Sequence, residues 1–232
     1  MCSSDLVSCS PLELESYRSV FHEFRDVFSW CYEEIPGIDT SIVEHTIKMY
    51  ADVRLVRQRL RHVHPKKVVA IKVEVEIFLC VGFIYPVPLT YWVSNIVHIM
   101  KKQGKIRVCV DYQDVNLDFP KYNFPTPFID HIIDDCAGCE IFSFMDGFFG
   151  YNQINIHTED QCKATFICPW GTFSYRKLPF GLRNAGETFQ GVMDYAFNDI
   201  KHIFQPYLDN LPTHSRNWTD HPMHLRAIFL RC

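Results

Sequence analysis

No apolar run in this 232-residue chain approaches the ~18 to 20 residues that a membrane-spanning helix needs, which excludes a helical membrane protein and points to a soluble one. Glycine and proline are sparse, ten and thirteen in all, too few for collagen or for a Pro/Gly low-complexity chain. Met1 to Ser10 contains Asp5 but no basic cluster and no continuous apolar stretch. It does not read as a secretory signal, so the expected location is intracellular, cytoplasmic or nuclear. Ten cysteines are too thinly spread for a disulfide scaffold and read as reduced thiols. Cys136 and Cys139 form one CxxC, with Cys162 and Cys168 further on, but without the regular spacing of a structural zinc site. His221 and His224 can share a helical face, yet no Glu-bearing metalloprotease motif surrounds them, which favours a surface or core role. Apolar material is plentiful: 47% of residues are hydrophobic and 15% aromatic, against 22% charged, enough for a sizeable core and unlike a disordered chain or a coiled-coil rod.

The net charge of −4 averages a polarised chain. From Lys48 to Lys72, eight basic residues (Lys48, Arg54, Arg57, Arg59, Arg61, Lys66, Lys67 and Lys72) face Asp52 alone, a local +7 that leaves −11 for the remainder. Between Val108 and Asp160, ten acids accompany only Lys121. A basic flank that meets phosphates, ahead of carboxylates that hold divalent cations, has this pattern; so do two solvated faces of opposite sign.

No internal repeat is visible. The stretch up to about Thr40 is the least periodic and reads as a linker with a short helix and a turn at Pro36-Gly37. Between Lys66 and Val81, Val73, Val75 and Ile77 alternate like a strand, while Ile71, Val75, Phe78 and Leu79 follow a helical stripe ended by Gly82; the helix is the reading adopted. Asn95 to Met100 and Lys105 to Val110 predict a basic hairpin turning at Gly104. Phe128 to Cys136 predicts a helix with Phe128, Ile132, Ile133 and Cys136 on one face, and Glu140 to Asp146 an apolar strand ending in a carboxylate. A second hairpin is expected around Trp170-Gly171. A helix capped by Asn184 follows, with an apolar stripe of Phe189, Val192, Met193, Ala196 and Phe197, and then a strand from Ile203 to Asp209. Irregularly mixed helices and hairpins favour an α+β fold with an antiparallel sheet over alternating βαβ units.

A carboxylate at the end of an apolar strand is costly unless solvated, paired or bound to a cation. Asp146, after Ile141-Phe142-Ser143-Phe144-Met145, is one, and Asp209, after Phe204 to Leu208, is another. Two such residues converging in an antiparallel sheet could hold a pair of Mg²⁺ ions ~3.5 to 4 Å apart for an in-line phosphoryl displacement; each taken alone reads more readily as a turn aspartate.

Several blocks then occur in a telling order. Gly104-Lys105-Ile106-Arg107-Val108-Cys109-Val110-Asp111-Tyr112 comes first, followed by Phe142-Ser143-Phe144-Met145-Asp146-Gly147 and Gly150-Tyr151-Asn152-Gln153-Ile154. Leu178-Pro179-Phe180-Gly181-Leu182, Asn184-Ala185, Phe189-Gln190 and Tyr207-Leu208-Asp209 complete the set. In this order and spacing the run from Ile96 to Asp209 resembles the reverse transcriptases of long-terminal-repeat retroelements, most closely the gypsy-type polyproteins of plants. Upstream, Asp26-Val27-Phe28 and Pro36-Gly37 look like the segment joining protease to polymerase, and Trp218, Asp220, His221, His224-Leu225 and Phe229 look like the helix after the active-site hairpin.

The resemblance implies the fingers and palm of a right-hand polymerase, an antiparallel palm sheet packed on helices. A linker would span 1–47, fingers 48–120 and 154–184, palm 121–153 and 185–232. It implies Asp146 and Asp209 as ligands of two Mg²⁺ (or Mn²⁺) ions, with position 210 beside them in the catalytic set. Lys101 or Lys102 and Arg107 would grip the incoming deoxynucleoside triphosphate, Arg as a planar fork and Lys as a mobile charge. Tyr151 would exclude a 2′-hydroxyl, and Phe180, Gly181 and Tyr207 would line the nucleotide pocket; the alternatives are core roles for Tyr151 and Phe180 and a solvated basic turn for the cations. The implied partners are an RNA or DNA template with its primer.

This chain also departs from the family. Asn210 stands where a second aspartate is usual, and an amide offers an oxygen without the negative charge. Pro212 falls where the return strand should donate to its ladder. Gln113 and Phe149 replace a usual arginine and a usual small residue. Ending at Cys232, the sequence leaves no room for a thumb, connection or ribonuclease H, so the expectation is a truncated, degenerate polymerase domain of impaired activity. The rivals are a non-catalytic nucleic-acid-binding remnant using Lys48 to Lys72 and the Lys101 to Arg107 hairpin, and a pseudogene product.

Overall fold

The computed structural model describes residues 10–100, 106–125, 127–147 and 149–232. Helix α1 (Pro11–Glu23) opens on a capping box, in which Ser10 Oγ accepts from the Glu13 N–H and the Glu13 carboxylate accepts from the Ser10 N–H, with Pro11 in the first turn. There follow β1 (Glu44–His45), α2 (Pro65–Cys80), β2 (Ile84–Pro86), β3 (Ser94–Met100), β4 (Ile106–Val110), α3 (Gln113–Leu117), α4 (Ile129–Asp135) and β5 (Ile141–Asp146). The chain continues through β6 (Asn155–Ile156), β7 (Thr165–Cys168), β8 (Gly171–Tyr175), α5 (Ala185–Ala196), β9 (Asn210–Ser215) and α6 (His221–Phe229). No helix among the described residues is long and apolar enough to cross a membrane. The described cysteines Cys31, Cys80, Cys109, Cys136, Cys139, Cys162, Cys168 and Cys232 are free thiols.

These elements fall into two compact units. The first comprises 10–34, 125–147 and 190–232, and its sheet pairs β5 with β9 antiparallel, Ile141 opposite Ser215 through Asp146 opposite Asn210. Its core joins Tyr17, Val20 and Phe24 of the N-terminal segment to Phe197, Phe204, Leu225, Ile228 and Phe229. Each fully buried Phe or Leu stabilises such a core by roughly 1.5 to 3 kcal/mol. The stretch read as a linker thus contributes core up to Phe24; its apolar residues are too few per turn to show a clear stripe. His221 fastens α6 to both strands, Nε2 lying 2.8 Å from Ser143 Oγ and Nδ1 2.6 Å from Ser215 Oγ, while His224 Nδ1 lies 2.7 Å from the same Ser215 hydroxyl.

The second unit, Ile35–Phe124 with Phe149–Phe189, holds a five-stranded sheet in the order β2-β8-β7-β3-β4, antiparallel except for β3 beside β7, and a parallel pair of β1 with β6. The strands of both expected hairpins pair antiparallel, β3 with β4 and β7 with β8, and the turn expected at Gly104 lies outside the described residues. Helix α2 is a helix because Ile71, Val75 and Phe78 of its stripe are buried while Val69 and Val73 face water; Leu79, the fourth expected member, is exposed, and Gly82, at φ +75°, ends the helix in the left-handed region. The basic segment ahead of it is held by the buried Asn95. The Asn95 N–H donates to Gln58 Oε1 (2.9 Å) and its Nδ2 to the Arg59 carbonyl (2.6 Å), while its Oδ1 accepts from the Arg61 N–H (2.9 Å).

Three local expectations are corrected. Helix α4 forms, but Phe128 and Ile133 are exposed, so its apolar face is not core. Asn184 is buried at the start of α5, yet its side chain does not cap the helix; Oδ1 accepts from the Tyr122 N–H (3.0 Å) and Nδ2 donates to the Pro120 carbonyl (2.8 Å). The expected strand 203–209 appears only as an arm bridged to β9 at Phe204↔Thr213 and Tyr207↔Asn210. In this arm Gln205 N–H donates to the Pro212 carbonyl, but Pro212 has no N–H to return to Gln205, so one ladder bond is missing. Pro212 therefore weakens the side of β9 facing the arm, whereas the β5 pairing runs unbroken past it.

Two histidines make the fold acid-sensitive. Burial pushes His45 down from the ordinary 6.5 to about 4, partly opposed by the Asp160 charge. Burial, with repulsion from His224 and His214, likewise takes His221 to about 4. The unfolded chain binds these protons first as pH falls, so stability is fully present above pH 6.5 and is lost between 6.5 and 4, by roughly 3 kcal/mol per histidine. Melting temperature should fall steeply across that window, and His45→Gln should flatten part of the slope; a melting temperature constant from pH 7 to 4 contradicts this.

Candidate active site

The β5–β9 register determines what surrounds Asp146. Successive side chains of β5 alternate, Ile141, Ser143 and Met145 turning inward while Phe142, Phe144 and Asp146 are exposed. Directly opposed residues of an antiparallel pair share a face, with Cα atoms about 4.5 to 5.5 Å apart, so Asn210 sits across the ladder from Asp146 on the exposed face. Asp209 is one residue back, in the turn, half-buried. Its carbonyl accepts the Gly147 N–H at 2.8 Å, and a Cβ at Gly147 would lie 3.8 Å from the Asp209 Cα. Both aspartates thus flank one strand end.

The turn itself is a two-residue hairpin. Tyr207 and Asn210 exchange backbone hydrogen bonds of 2.9 and 3.1 Å around Leu208-Asp209, which gives Tyr207 a bracing backbone role. Leu208 adopts φ +54°, a left-handed conformation that costs a bulky residue of order 1 to 3 kcal/mol and must be imposed from outside. Gln190 imposes it. Completely buried on α5, it donates from Nε2 to the Pro206 carbonyl (3.0 Å) and accepts the Leu208 N–H on Oε1 (2.9 Å). In the sequence Gln190 belongs to the Phe189-Gln190 block, and a polar residue within the apolar stripe of a helix is the signal for its role.

The donor set suits a hard cation. Asp146 and Asp209 make no side-chain hydrogen bond or ion pair among the described residues, and with Asn210 they offer only oxygen ligands. No cluster of three or more His, Cys, Asp or Glu able to hold a metal occurs among the described residues, and Asn210, across the ladder from Asp146, offers a neutral amide oxygen.

The other predicted residues belong to the second unit. Arg107, on β4, places its guanidinium carbon 4.9 Å from the centre of the Phe180 ring, a cation–π contact. Phe180 lies 4.6 Å from Tyr151, and Tyr151 lies 5.1 Å from Phe189. Tyr151 is buried and Phe180 half-buried. Gly150 is required here, because a Cβ would come within 2.6 Å of the Phe189 ring. Phe149 precedes it at φ +48°, a left-handed conformation that is strained for a bulky residue. Gly181, at φ +97°, lies against the end of β4 with its Cβ position 3.4 Å from the Val110 carbonyl oxygen. A pocket lined by Glu74, Phe78, Arg107, Phe149, Asn152 and Phe180 opens beside this aromatic cluster. Gln113 is exposed at the start of α3, and Lys101 and Lys102 lie outside the described residues.

A family model for reverse transcriptase (RNA-dependent DNA polymerase) matches residues 99–232, more than half of the sequence and all of both strand-end carboxylates' surroundings. The chain belongs to the reverse transcriptase family. Its sequence is similar to the Tf2-7 and Tf2-3 transposon polyproteins of Schizosaccharomyces pombe, 29% and 28% identical over 135 residues. That match covers 57% of this chain and 10% of each polyprotein. In fold it matches the foamy viral protease-reverse transcriptase in complex with an RNA/DNA hybrid, with a TM-score of 0.86 and 17% identity over 97% of this chain and 30% of that one. A second foamy viral protease-reverse transcriptase structure, in complex with double-stranded DNA, gives 0.86 at 18% identity, covering 97% of this chain and 39% of that one. The fold is therefore the α+β fold of right-hand polymerase fingers and palm.

Replacing Gln190 with leucine leaves the buried Pro206 carbonyl and the partly buried Leu208 N–H without their partner, so Gln190→Leu should lower stability by roughly 2 to 3 kcal/mol in urea unfolding. A change below about 0.5 kcal/mol, within the range of surface substitutions, contradicts the clamp.

Proposed function

We propose that this chain is the fingers-and-palm part of an RNA-directed DNA polymerase from a gypsy-type long-terminal-repeat retroelement of plants, acting inside the cell on a primed RNA or DNA template. The reaction is nucleotidyl transfer: the primer 3′-hydroxyl attacks the α-phosphorus of a deoxynucleoside triphosphate and pyrophosphate leaves. The order of the family blocks and the likeness to the fission-yeast transposon polyproteins support this reading. Asp146 and Asp209 would hold Mg²⁺ or Mn²⁺ with Asn210 as a neutral oxygen donor; when bound, these ions activate the hydroxyl and neutralise phosphate charge. Arg107 presents its fork to the triphosphate oxygens, with Lys101 or Lys102 as a mobile charge. Tyr151 and Phe180, packed against one another with tilted rings, limit the space at the sugar.

The observation that carries the proposal is the register that sets Asn210 opposite Asp146. It also supports impairment. Removing one full negative charge there costs about 3 kcal/mol of transition-state stabilisation, roughly a hundredfold in rate. Extension of oligo(dT) on poly(rA) with Mg²⁺ or Mn²⁺ should be about a hundredfold faster for Asn210→Asp than for the natural chain, and absent for Asp146→Asn. Equal rates for the natural chain and Asn210→Asp contradict the reading.

A second reading, nucleic-acid binding without synthesis, is favoured by the basic segment. Arg61 is paired with Asp111 (2.7 Å), Lys67 with His98 (2.8 Å) and Lys72 with Glu76 (3.5 Å). Lys48, Arg54, Arg57 and Arg59 are exposed and have no side-chain partner among the described residues. Single-strand binding should weaken with salt, and Arg57→Ala with Arg59→Ala should reduce the log–log slope by about 1.4, ~0.7 for each lost phosphate contact. A slope near zero in the natural chain excludes this reading.

A further inference from the structure

The turn bearing Phe180 and Gly181 has little of its own to hold it. Leu178 and Leu182 are buried anchors, but Gly181 and Arg183 are exposed and Phe180 is only half-buried. Gly181 also sits in a left-handed conformation pressed against the Val110 carbonyl, so a small displacement would change both the turn and its contact with β4.

A single side chain brackets this turn. Asn116, near the end of α3, donates from Nδ2 to the Gly181 carbonyl at 2.7 Å and accepts the Arg183 N–H on Oδ1 at 2.8 Å. The two bonds fall on either side of Leu182. Arg183 answers in kind: its Nη1 donates to the carbonyls of Asn116 and Phe119, both at 2.9 Å. Five residues are too few for a helix to stand alone, and its last carbonyls otherwise lack partners, so the guanidinium also secures α3. The bracket is reciprocal, since α3 fixes the turn and the turn fixes α3.

We propose that Asn116 is a positioning residue for nucleotide binding, holding Phe180 where its ring supports the Arg107 guanidinium 4.9 Å away and packs at a tilt against Tyr151. The proposal rests on the polymerase reading, because it assigns Arg107 and Phe180 to the incoming nucleotide. Asn116 acts through Gly181 and Arg183. Its loss therefore changes how well a nucleotide is received rather than the chemistry at Asp146.

The test compares Asn116→Ala and Asn116→Asp in the Asn210→Asp background, by steady-state primer extension and by backbone hydrogen exchange. Asn116→Ala should raise the KM for dTTP about tenfold, leave kcat and the Kd for primer–template within twofold, and speed exchange in 178–183 alone. Asn116→Asp keeps an acceptor for Arg183 but loses the donor to Gly181, so it should resemble alanine rather than asparagine. An unchanged KM, or exchange accelerated throughout the second unit with kcat and KM falling together, overturns the assignment. If no protein extends a primer, the polymerase reading fails on its own terms, and unchanged exchange in 178–183 of Asn116→Ala still overturns the bracket.

Discussion

The antiparallel pairing of β5 with β9 is the constraint from which the rest of the site follows. Because the register places Asp146 opposite Asn210, the two-residue turn preceding Asn210 must bring Asp209 beside Gly147. A slip of one residue would turn Asp146 toward the interior and the inward residues toward water. The surrounding structure resists that slip in two ways. His221 ties Ser143 of one strand and Ser215 of the other to the same helix, and Gln190 fixes the backbone of the turn at Pro206 and Leu208. Both are buried polar residues whose hydrogen-bonding capacity is spent on register and turn shape.

The strain at Leu208 follows from the same arrangement. A positive φ at a leucine persists only where neighbouring groups over-determine it, and here both sides of the residue are held, by the Tyr207–Asn210 exchange and by Gln190. The arm before the turn is weaker, because proline at 212 removes one of its bonds to β9. A taut turn on a weakened arm leaves the carboxylates positioned chiefly by β5 and Gln190.

Much of this was legible in the sequence, for identifiable reasons. Strand β5 and helix α2 carry their periodicity in consecutive apolar residues, and the β7–β8 hairpin announces itself through Gly171. The strand-end carboxylates stood out because each closes an apolar run within one of the ordered blocks, although either alone reads as a turn aspartate. Other features depend on contacts far apart in the chain. The role of Asn184 is fixed by Tyr122 and Pro120, more than sixty residues away, and local cap chemistry alone points elsewhere. The core contribution of Tyr17, Val20 and Phe24 exists only once Phe197 and Phe229 are present to receive it. Asn210 was visible as a departure, but only the register shows that it faces Asp146 directly.

The central claim is that Asp146 and Asp209 act as one cation site weakened by the amide at 210. Titration of the protein with Mn²⁺ alone, followed by electron paramagnetic resonance, reads this without nucleotide or template. The account predicts weak binding that tightens in Asn210→Asp and disappears in both Asp146→Asn and Asp209→Asn. Binding that survives in either single aspartate variant, or that ignores the change at 210, contradicts it.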